Sequence, residues 1–70
     1  MLRQVLASQI ILSVGYDTEM EILEVEFRNR WVYRYSEVPR TIFDELLAAP
    51  SHGKYLKQHI VDTYDTVRIL

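Results

Sequence analysis

The sequence predicts an α+β domain in which a three-stranded antiparallel meander (about 8–16, 20–28 and 31–36) is followed by two helices (about 39–48 and 52–62). Two observations lead to this prediction. Apolar and polar residues alternate along the first half of the chain, as they do in strands with one buried face. After Tyr35 the apolar residues recur at helical spacing instead. Strands followed by helices are typical of an antiparallel sheet with helices on one face.

The three strands of the predicted meander are separated by polar turns. Residues 8–16, SQIILSVGY, are rich in β-branched and apolar side chains and run into a turn. Residues 23–27, LEVEF, alternate apolar side chains with glutamates, which predicts a half-buried strand. Residues 31–35, WVYRY, alternate again, and the polar RNR at 28–30 fits a hairpin loop. The final VRIL at 67–70 predicts a further short strand.

Prolines and a serine mark the bounds of the two helices. Pro39 suits the first turn of a helix, where its missing N–H costs nothing, and Pro50 marks the end of that helix. Ser51 is a good N-cap for the second helix. Gly53 in its first turn disfavours helix, so we expect close packing at that position. The apolar positions at helical spacing are Ile42, Phe43, Leu46, Leu47, Leu56 and Ile60.

Length and composition indicate one soluble domain spanning residues 1–70. The chain is 49% hydrophobic and 26% charged, which is typical of a folded domain rather than a disordered segment. There is no cysteine to form a disulfide or hold zinc, so the core must stabilise the fold, helped at most by self-association. The longest apolar stretch near the N-terminus, residues 5–14, is interrupted by polar residues and too short to span a bilayer. We therefore expect a cytoplasmic protein with no membrane partner.

Charge is unevenly distributed along the chain. The net charge of −2 argues against strong nonspecific binding to nucleic acid. However, residues 17–26 carry five acidic side chains and no cation, whereas residues 28–40 carry four arginines and one glutamate. This division either forms a local basic patch or is neutralised by pairing between adjacent strands.

The register of the second hairpin decides which face its aromatic residues take. A two-residue loop that pairs Arg28 with Trp31 would place Tyr33 and Tyr35 opposite glutamates and expose them. A three-residue loop that pairs Phe27 with Trp31 would place both tyrosines against apolar residues. The second register is favoured because it also pairs Glu24 with Arg34 on the outer face and keeps the guanidinium out of the core. Its loop requires one left-handed residue, for which Asn29 is the best candidate.

Residue types used in catalysis or metal binding occur without the spacing that those functions need. Ser51, His52 and Asp44 include the types of a hydrolytic triad, but no nucleophile elbow or oxyanion-hole pattern surrounds them. His52 and His59 share a helix face without a third ligand nearby, which makes a weak metal site. No glycine-rich phosphate loop is present. We expect a noncatalytic protein with no metal and no cofactor.

Several motifs together resemble the KTSC domain, a family of about this length found at the C-terminus of some lysyl-tRNA synthetases and as free-standing bacterial proteins. The motifs are SVGYD at 13–17, LEVEF at 23–27, VYRY at 32–35, VP at 38–39 and LLAAPSHGKYL at 46–56, with Ile60, Tyr64 and Arg68. The chain departs from the family's pattern in the hairpin, where Asn29-Arg30-Trp31 replaces a common glycine, and at Lys57, which replaces a frequent asparagine.

The resemblance, together with the interleaved tyrosines and cations, predicts a small module that binds structured or single-stranded RNA, such as tRNA. The expected contacts lie on the YxY strand and at the start of the second helix. They are Tyr33, Arg34, Tyr35, Gly53, Lys54, Tyr55 and Lys57. The alternative is a protein-interaction module without nucleic acid, either bound to a protein partner or forming a homodimer through a sheet edge, so that monomer and homodimer both remain open.

Overall fold

The predicted α+β class is confirmed, but the sheet has five strands, whereas a three-stranded meander and one short C-terminal strand were predicted. The computed structural model describes all 70 residues. In chain order the elements are β1 (Arg3–Val5), β2 (Ile11–Asp17), β3 (Ile22–Phe27), β4 (Val32–Tyr35), α1 (Arg40–Ala48), α2 (His52–His59) and β5 (Thr66–Arg68). Neighbouring strands are all antiparallel, and their order in the sheet follows the chain, β1-β2-β3-β4-β5.

The two strands beyond the predicted meander lie at the edges of the sheet. β1 and β5 have three residues each, all exposed. An edge strand without a buried face shows no apolar alternation, which is why the sequence pattern missed β1. The C-terminal strand was predicted over 67–70 and is present as Thr66–Arg68. Both strands form because β2 and β4 offer them backbone hydrogen bonds.

Gly15 in β2 allows the N-terminal segment to approach closely. A Cβ added at Gly15 would lie 2.8 Å from the Leu2 carbonyl oxygen and 3.1 Å from Arg3 Cγ. Because the first of these contacts is with backbone, a side chain here would displace the segment rather than rotate a neighbour. The glycine of the SVGYD motif is therefore required by the β1–β2 pairing.

The second hairpin has the favoured register. Val25 lies opposite Tyr33, Leu23 opposite Tyr35, and Glu24 opposite Arg34. The loop closes with the Phe27 N–H donating to the Trp31 carbonyl at 2.9 Å. The prediction that Asn29 is the left-handed residue is wrong, because Arg30 has the positive φ, 73°. The Asn29 side chain instead accepts a hydrogen bond from the Trp31 N–H at 3.0 Å, which holds the turn from within.

The two helices cover the face of the sheet that carries Leu23 and Val25. They contribute Phe43 and Leu46 from α1 and Leu56 from α2 to one core. The other buried members of this core are Leu6, Ile11, Val14, Tyr35, Val38 and Ile60. The Tyr16 ring stacks on Phe43 with centroids 5.0 Å apart, and extends the core toward β1.

The helix bounds largely follow the predicted signals. Pro39 is the N-cap of α1. The predicted Ser51 cap is confirmed, since its Oγ accepts a hydrogen bond from the Lys54 N–H at 3.3 Å. α2 ends at His59, earlier than predicted, and the following turn contains Asp62 with φ 67°. Gly53 is buried, and a Cβ there would lie 3.0 Å from Ile10 Cδ1, so the expected close packing is with Ile10.

The opposite, outer face of the sheet is organised around Glu24, which is only 7% exposed. Arg3 donates to Glu24 Oε1 at 2.7 Å, and Arg34 donates to Oε2 at 2.6 Å. Burial acts to raise the pKa of Glu24, but the hydrogen bonds from the two arginines outweigh it, and the pKa is lowered. Cross-strand pairing with Glu24 therefore neutralises Arg34 within the basic stretch of residues 28–40. This agrees with one of the two interpretations of the charge pattern, pairing between adjacent strands.

Candidate nucleic-acid interface

The antiparallel topology places three loops at one end of the molecule. The β1–β2 loop and the β3–β4 loop meet there, because the Arg28 N–H donates to the Ile10 carbonyl at 2.9 Å. The start of α2 reaches the same place through the contact of Gly53 with Ile10. Arg68, opposite Tyr33 in β5, lies over the ring of Trp31. Ile10 thus joins the start of α2 to the hairpin.

This end of the molecule is rich in cations. Residues 6–10, 28–31, 50–58 and 68–70 contain no aspartate or glutamate. We call the surface formed by Arg28, Arg30, Lys54, Lys57 and Arg68 the basic end.

The opposite end of the sheet has the reverse composition. The β2–β3 turn lies there with the segment after β4, since the Val38 N–H donates to the Glu21 carbonyl at 2.9 Å. The segment after α2 joins them, since the Ser36 N–H donates to the Asp65 carbonyl at 2.9 Å. We call this the acidic end, and Arg40 is a cation that lies there. Its acidic residues are Asp17, Glu19, Glu21, Glu37, Asp62 and Asp65.

Ion pairing removes few of the cations at the basic end. Of its five members only Arg30 has an aspartate or glutamate carboxylate within 4.0 Å, namely Glu26 at 3.8 Å. Arg28 donates instead to the carbonyls of Ser8 and Leu6. The side chains of Lys54 and Lys57 are exposed on α2. An anionic ligand would therefore meet four cations, all but Arg30, that have no aspartate or glutamate partner.

An exposed aromatic surface lies beside these cations. Trp31 is 42% exposed, and its ring centroid is 6.4 Å from that of Tyr33 at an interplanar angle of 29°. Tyr33 in turn meets Phe27 edge-on at 5.6 Å. The guanidinium carbon of Arg68 lies 3.5 Å from the Trp31 centroid, a close cation–π contact. The rings rest on the core at one side and reach solvent at Trp31.

A shallow groove of about 520 Å³ runs along α2 at the basic end. Ile10, half exposed, is its one apolar side chain, and two lysines lie on its rim. The lining residues are Ile10, Ser51, Gly53, Lys54, Lys57 and Gln58. Gly53 leaves the groove without a side chain at the position where Ile10 approaches the helix. The groove offers an apolar surface flanked by cations.

The structure separates the predicted YxY contacts from one another. Tyr35 is 2% exposed and belongs to the core, where burial raises its pKa to about 12. Tyr33 is half-buried beneath Trp31. Arg34 lies on the outer face, bound to Glu24. Of the three, Tyr33 is the one that joins the surface of the basic end.

The predicted contacts on α2 lie closer together. Lys54 and Lys57 line the groove, and Gly53 forms its base. The hydroxyl of Tyr55 donates to Glu45 of α1 at 2.6 Å, which fastens the two helices together. Burial, followed by this hydrogen bond, raises the pKa of Tyr55 to about 12. Tyr55 therefore acts in helix packing.

Sequence reasoning left Trp31, Arg68, Arg28 and Ile10 outside the predicted site. These residues come from four separate segments and meet only through the sheet order and the hairpin register. The absence of acidic residues in all the segments that meet at this end is a signal in the sequence. It can be used only once the topology shows which segments share an end.

The residue types of a hydrolytic triad are engaged in structural contacts. Ser51 caps α2, and His52 Nδ1 lies 2.8 Å from the Leu46 carbonyl, to which it donates. Asp44 accepts a hydrogen bond from Arg40 at 3.1 Å.

Neither helix is long and apolar enough to cross a membrane.

Comparisons with known proteins identify the family of the chain. The model of the KTSC domain matches residues 7–64. An uncharacterised protein of Stutzerimonas stutzeri is 45% identical over 58 residues, which is 83% of this chain and 82% of that protein. A protein of Tsukamurella paurometabola is 42% identical over 53 residues, 76% of this chain and 79% of its own length.

A solved structure gives the same result. The crystal structure of a KTSC domain protein from Yersinia pestis is similar with a TM-score of 0.95 and 32% identity, covering 99% of this chain and 97% of that one. The family match, the fold and the motifs of the hairpin and of α2 agree. The chain belongs to the KTSC domain family.

Proposed function

We propose that this protein is a small noncatalytic module that binds RNA through its basic end. The observation that carries the proposal is the separation of charge, with five cations and no acidic residue in the segments that meet there. RNA phosphates would contact these cations, and bases would contact the adjoining apolar and aromatic side chains. The expected contacts at Tyr33, Gly53, Lys54 and Lys57 remain part of this surface.

The acidic end restricts the proposed RNA binding to the opposite, basic end of the molecule. Because the whole chain carries a net charge of −2, an RNA strand has no general attraction to it, and only the basic end offers a favourable potential. Affinity should be modest and should fall steeply with salt. For a single strand, the slope of log K against log salt is about −0.7 for each phosphate contacted.

The contacts made by the residues of a hydrolytic triad type support a noncatalytic role. Ser51, His52 and Asp44 each have a structural partner, and each of these contacts would have to break before the group could act on a substrate. The groove at the basic end is open and shallow, so it offers little of the water exclusion that strengthens catalytic electrostatics.

Titration of the isotopically labelled protein at low salt tests the proposal. We expect tRNA or a short single-stranded oligonucleotide to shift the amide signals of residues 28–31, 52–58 and 68. Signals of residues 17–21 at the acidic end serve as the internal control. If no RNA shifts the first set, or if both sets shift equally, the proposal is wrong.

A matched pair of charge variants sharpens the test. Lys57→Ala and Arg40→Ala remove one positive charge each, from the basic end and the acidic end respectively. Lys57→Ala should weaken RNA binding several-fold and reduce the salt slope by about 0.7. Arg40→Ala should change neither quantity appreciably. Equal effects of the two variants would indicate only a dependence on net charge and would contradict a localised interface.

A second candidate function is self-association through β1. Leu2 is 93% exposed and Val5 75% exposed at this edge, and the charge of Arg3 is neutralised by Glu24. The Leu6 N–H donates to the Leu12 carbonyl, so by the two-residue period of the ladder Arg3 and Val5 direct their backbone groups outward. A second copy placed antiparallel, with Gln4 opposite Gln4, would pair each Arg3 with a Val5 and extend the sheet.

The molar mass in solution tests this second candidate. A homodimer that Val5→Lys converts to a monomer, while Val67→Lys at the opposite edge does not, would support it. A monomer at all accessible protein concentrations would exclude it. RNA binding and self-association use different surfaces, so either result leaves the first proposal open to its own test.

A further inference from the structure

Trp31 is the one tryptophan of the chain, and the guanidinium of Arg68 lies over its ring. The Arg68 guanidinium carbon lies 3.5 Å from the ring centroid, which is a stacking distance. Even with this cover, Trp31 is 42% exposed. Tyr33 lies beside the indole and fixes its orientation relative to the core.

Arg68 is held weakly in comparison with the other arginines of the sheet. Arg34 donates two hydrogen bonds to the buried carboxylate of Glu24. Arg68 has no aspartate or glutamate carboxylate within 4.0 Å, and its Nε donates to the main-chain oxygen of Leu70 at 2.9 Å. Its remaining attachment is the contact with Trp31, at a solvent-exposed position where cation–π contacts are weak. Arg68 can therefore leave the indole without exposing a buried charge.

We infer that the Trp31 face under Arg68 is a stacking site for an unpaired RNA base, and that Arg68 turns to the adjoining phosphate when the base enters. This inference rests on the proposed RNA-binding function and names the class of RNA, which is single-stranded. A base stacks on an indole whatever its identity, and the displaced guanidinium gains a phosphate partner that the free protein does not offer it. The stacking of the base and the new phosphate contact of Arg68 both favour replacement of the guanidinium by the base on the Trp31 ring.

The same geometry disfavours duplex RNA. Bases in a duplex are stacked on their neighbours, so none presents a free face to Trp31. The groove lies at the same end of the sheet, where a further nucleotide of the strand would have Lys54 or Lys57 as a partner for its phosphate. A flexible single strand can contact both the indole and the lysines, whereas a rigid duplex can contact only the cations.

Trp31 is its own reporter, because no other tryptophan contributes to the emission. We expect a short oligouridylate at low salt to quench Trp31 fluorescence in a saturable manner. Duplex RNA of the same length should leave the emission nearly unchanged and bind roughly tenfold more weakly, as expected for the loss of one stacked base. An equal affinity for both RNAs with unchanged emission would overturn the inference.

Three variants separate stacking from charge and from folding, with binding measured by the anisotropy of a labelled oligouridylate. Trp31→Ala should lose roughly tenfold in affinity, whereas Trp31→Phe should retain most of it because a flat ring remains. Arg68→Ala should still show quenching of Trp31 but with a salt slope smaller by about 0.7. Circular dichroism of each variant would check that it is folded.

The outcomes distinguish this inference from the function on which it rests. If Trp31→Ala and Trp31→Phe both bind like the unaltered protein while Lys57→Ala binds weakly, the stacking site is wrong and RNA binding stands. If Trp31→Ala and Trp31→Phe lose affinity equally, a flat ring is insufficient and the inference also fails. If no RNA binds the unaltered protein, both the inference and the proposed function are wrong.

Discussion

Arg34 donates two hydrogen bonds to one oxygen of Glu24, its cross-strand neighbour, at 2.6 Å from Nη2 and 3.1 Å from Nε. Arg3 from the edge strand takes the other oxygen at 2.7 Å. One glutamate thus joins three strands, β1, β3 and β4, across the outer face. The arrangement explains how a charged residue can be 7% exposed on a sheet face that no helix covers.

Glu24→Gln should destabilise the protein by about 1–3 kcal/mol, because a neutral amide is a weaker acceptor and leaves two guanidinium groups without a counter-charge. Chemical denaturation at neutral pH measures the loss. Glu19→Gln, in the exposed β2–β3 turn, removes the same charge and should change the free energy of unfolding by less than about 0.5 kcal/mol. Equal losses in both variants would contradict the role of Glu24.

Acid should remove this stabilisation. The pKa of Glu24 is lowered in the folded state, so its contribution is present above the ordinary glutamate pKa of 4.5 and is lost as the pH falls through the folded value. The free energy of unfolding of the unaltered protein should therefore fall more steeply with acid than that of Glu24→Gln. Parallel pH profiles for the two proteins would refute the assignment.

High pH should lower the stability of the folded protein through two tyrosines. The pKa values of Tyr35 and Tyr55 are both raised to about 12, so the folded protein retains protons that the unfolded chain releases near pH 10.0. Stability from these groups is complete below pH 10.0 and is lost as the pH rises toward 12. Tyrosinate absorbance should rise later in the folded protein than in denaturant. Tyr35→Phe and Tyr55→Phe should each reduce the part of the tyrosinate absorbance that rises between pH 10.0 and about 12 in the folded protein.

Gly15→Ala should detach the N-terminal strand. The new Cβ would lie 2.8 Å from the Leu2 carbonyl oxygen, and we expect a loss of about 1–3 kcal/mol with faster amide exchange in β1 and β2. Gly53→Ala is the control. Its nearest contact is the end of the Ile10 side chain at 3.0 Å, which can rotate, while alanine favours the helix. Gly53→Ala should therefore destabilise much less than Gly15→Ala.

Arg30→Gly should stabilise the hairpin. Arg30 has a φ of 73°, and relief of this left-handed conformation is worth about 0.5–1 kcal/mol. Asn29→Gly should not stabilise, since it removes the hydrogen bond from Asn29 to the Trp31 N–H. If Arg30 also contacts RNA, Arg30→Gly should weaken RNA binding while the melting temperature rises. A lower melting temperature for Arg30→Gly would contradict the assignment of strain.

Alternating patterns and helix signals were sufficient for most of the fold. LEVEF has the β-strand period, Pro50 and Ser51 mark the helix bounds, and the hairpin register follows from matching apolar with aromatic and Glu24 with Arg34. The left-handed residue could not be read in the same way. Asn29 has the better intrinsic preference, but its side chain is used in the turn, and Arg30 takes the strained position.

The sequence by itself determined the α+β class, the three central strands and the two helices, because each depends on a local period. It favoured the register that turns Tyr35 to the core, and the structure decided it. Only the tertiary structure decided that β1 forms and that the predicted C-terminal strand pairs with β4 as β5, since an edge strand without a buried face carries no periodic signal. It also decided which cations meet. Arg34, central in the sequence motif, is neutralised on the outer face, whereas Arg68 reaches Trp31 because β5 pairs with β4.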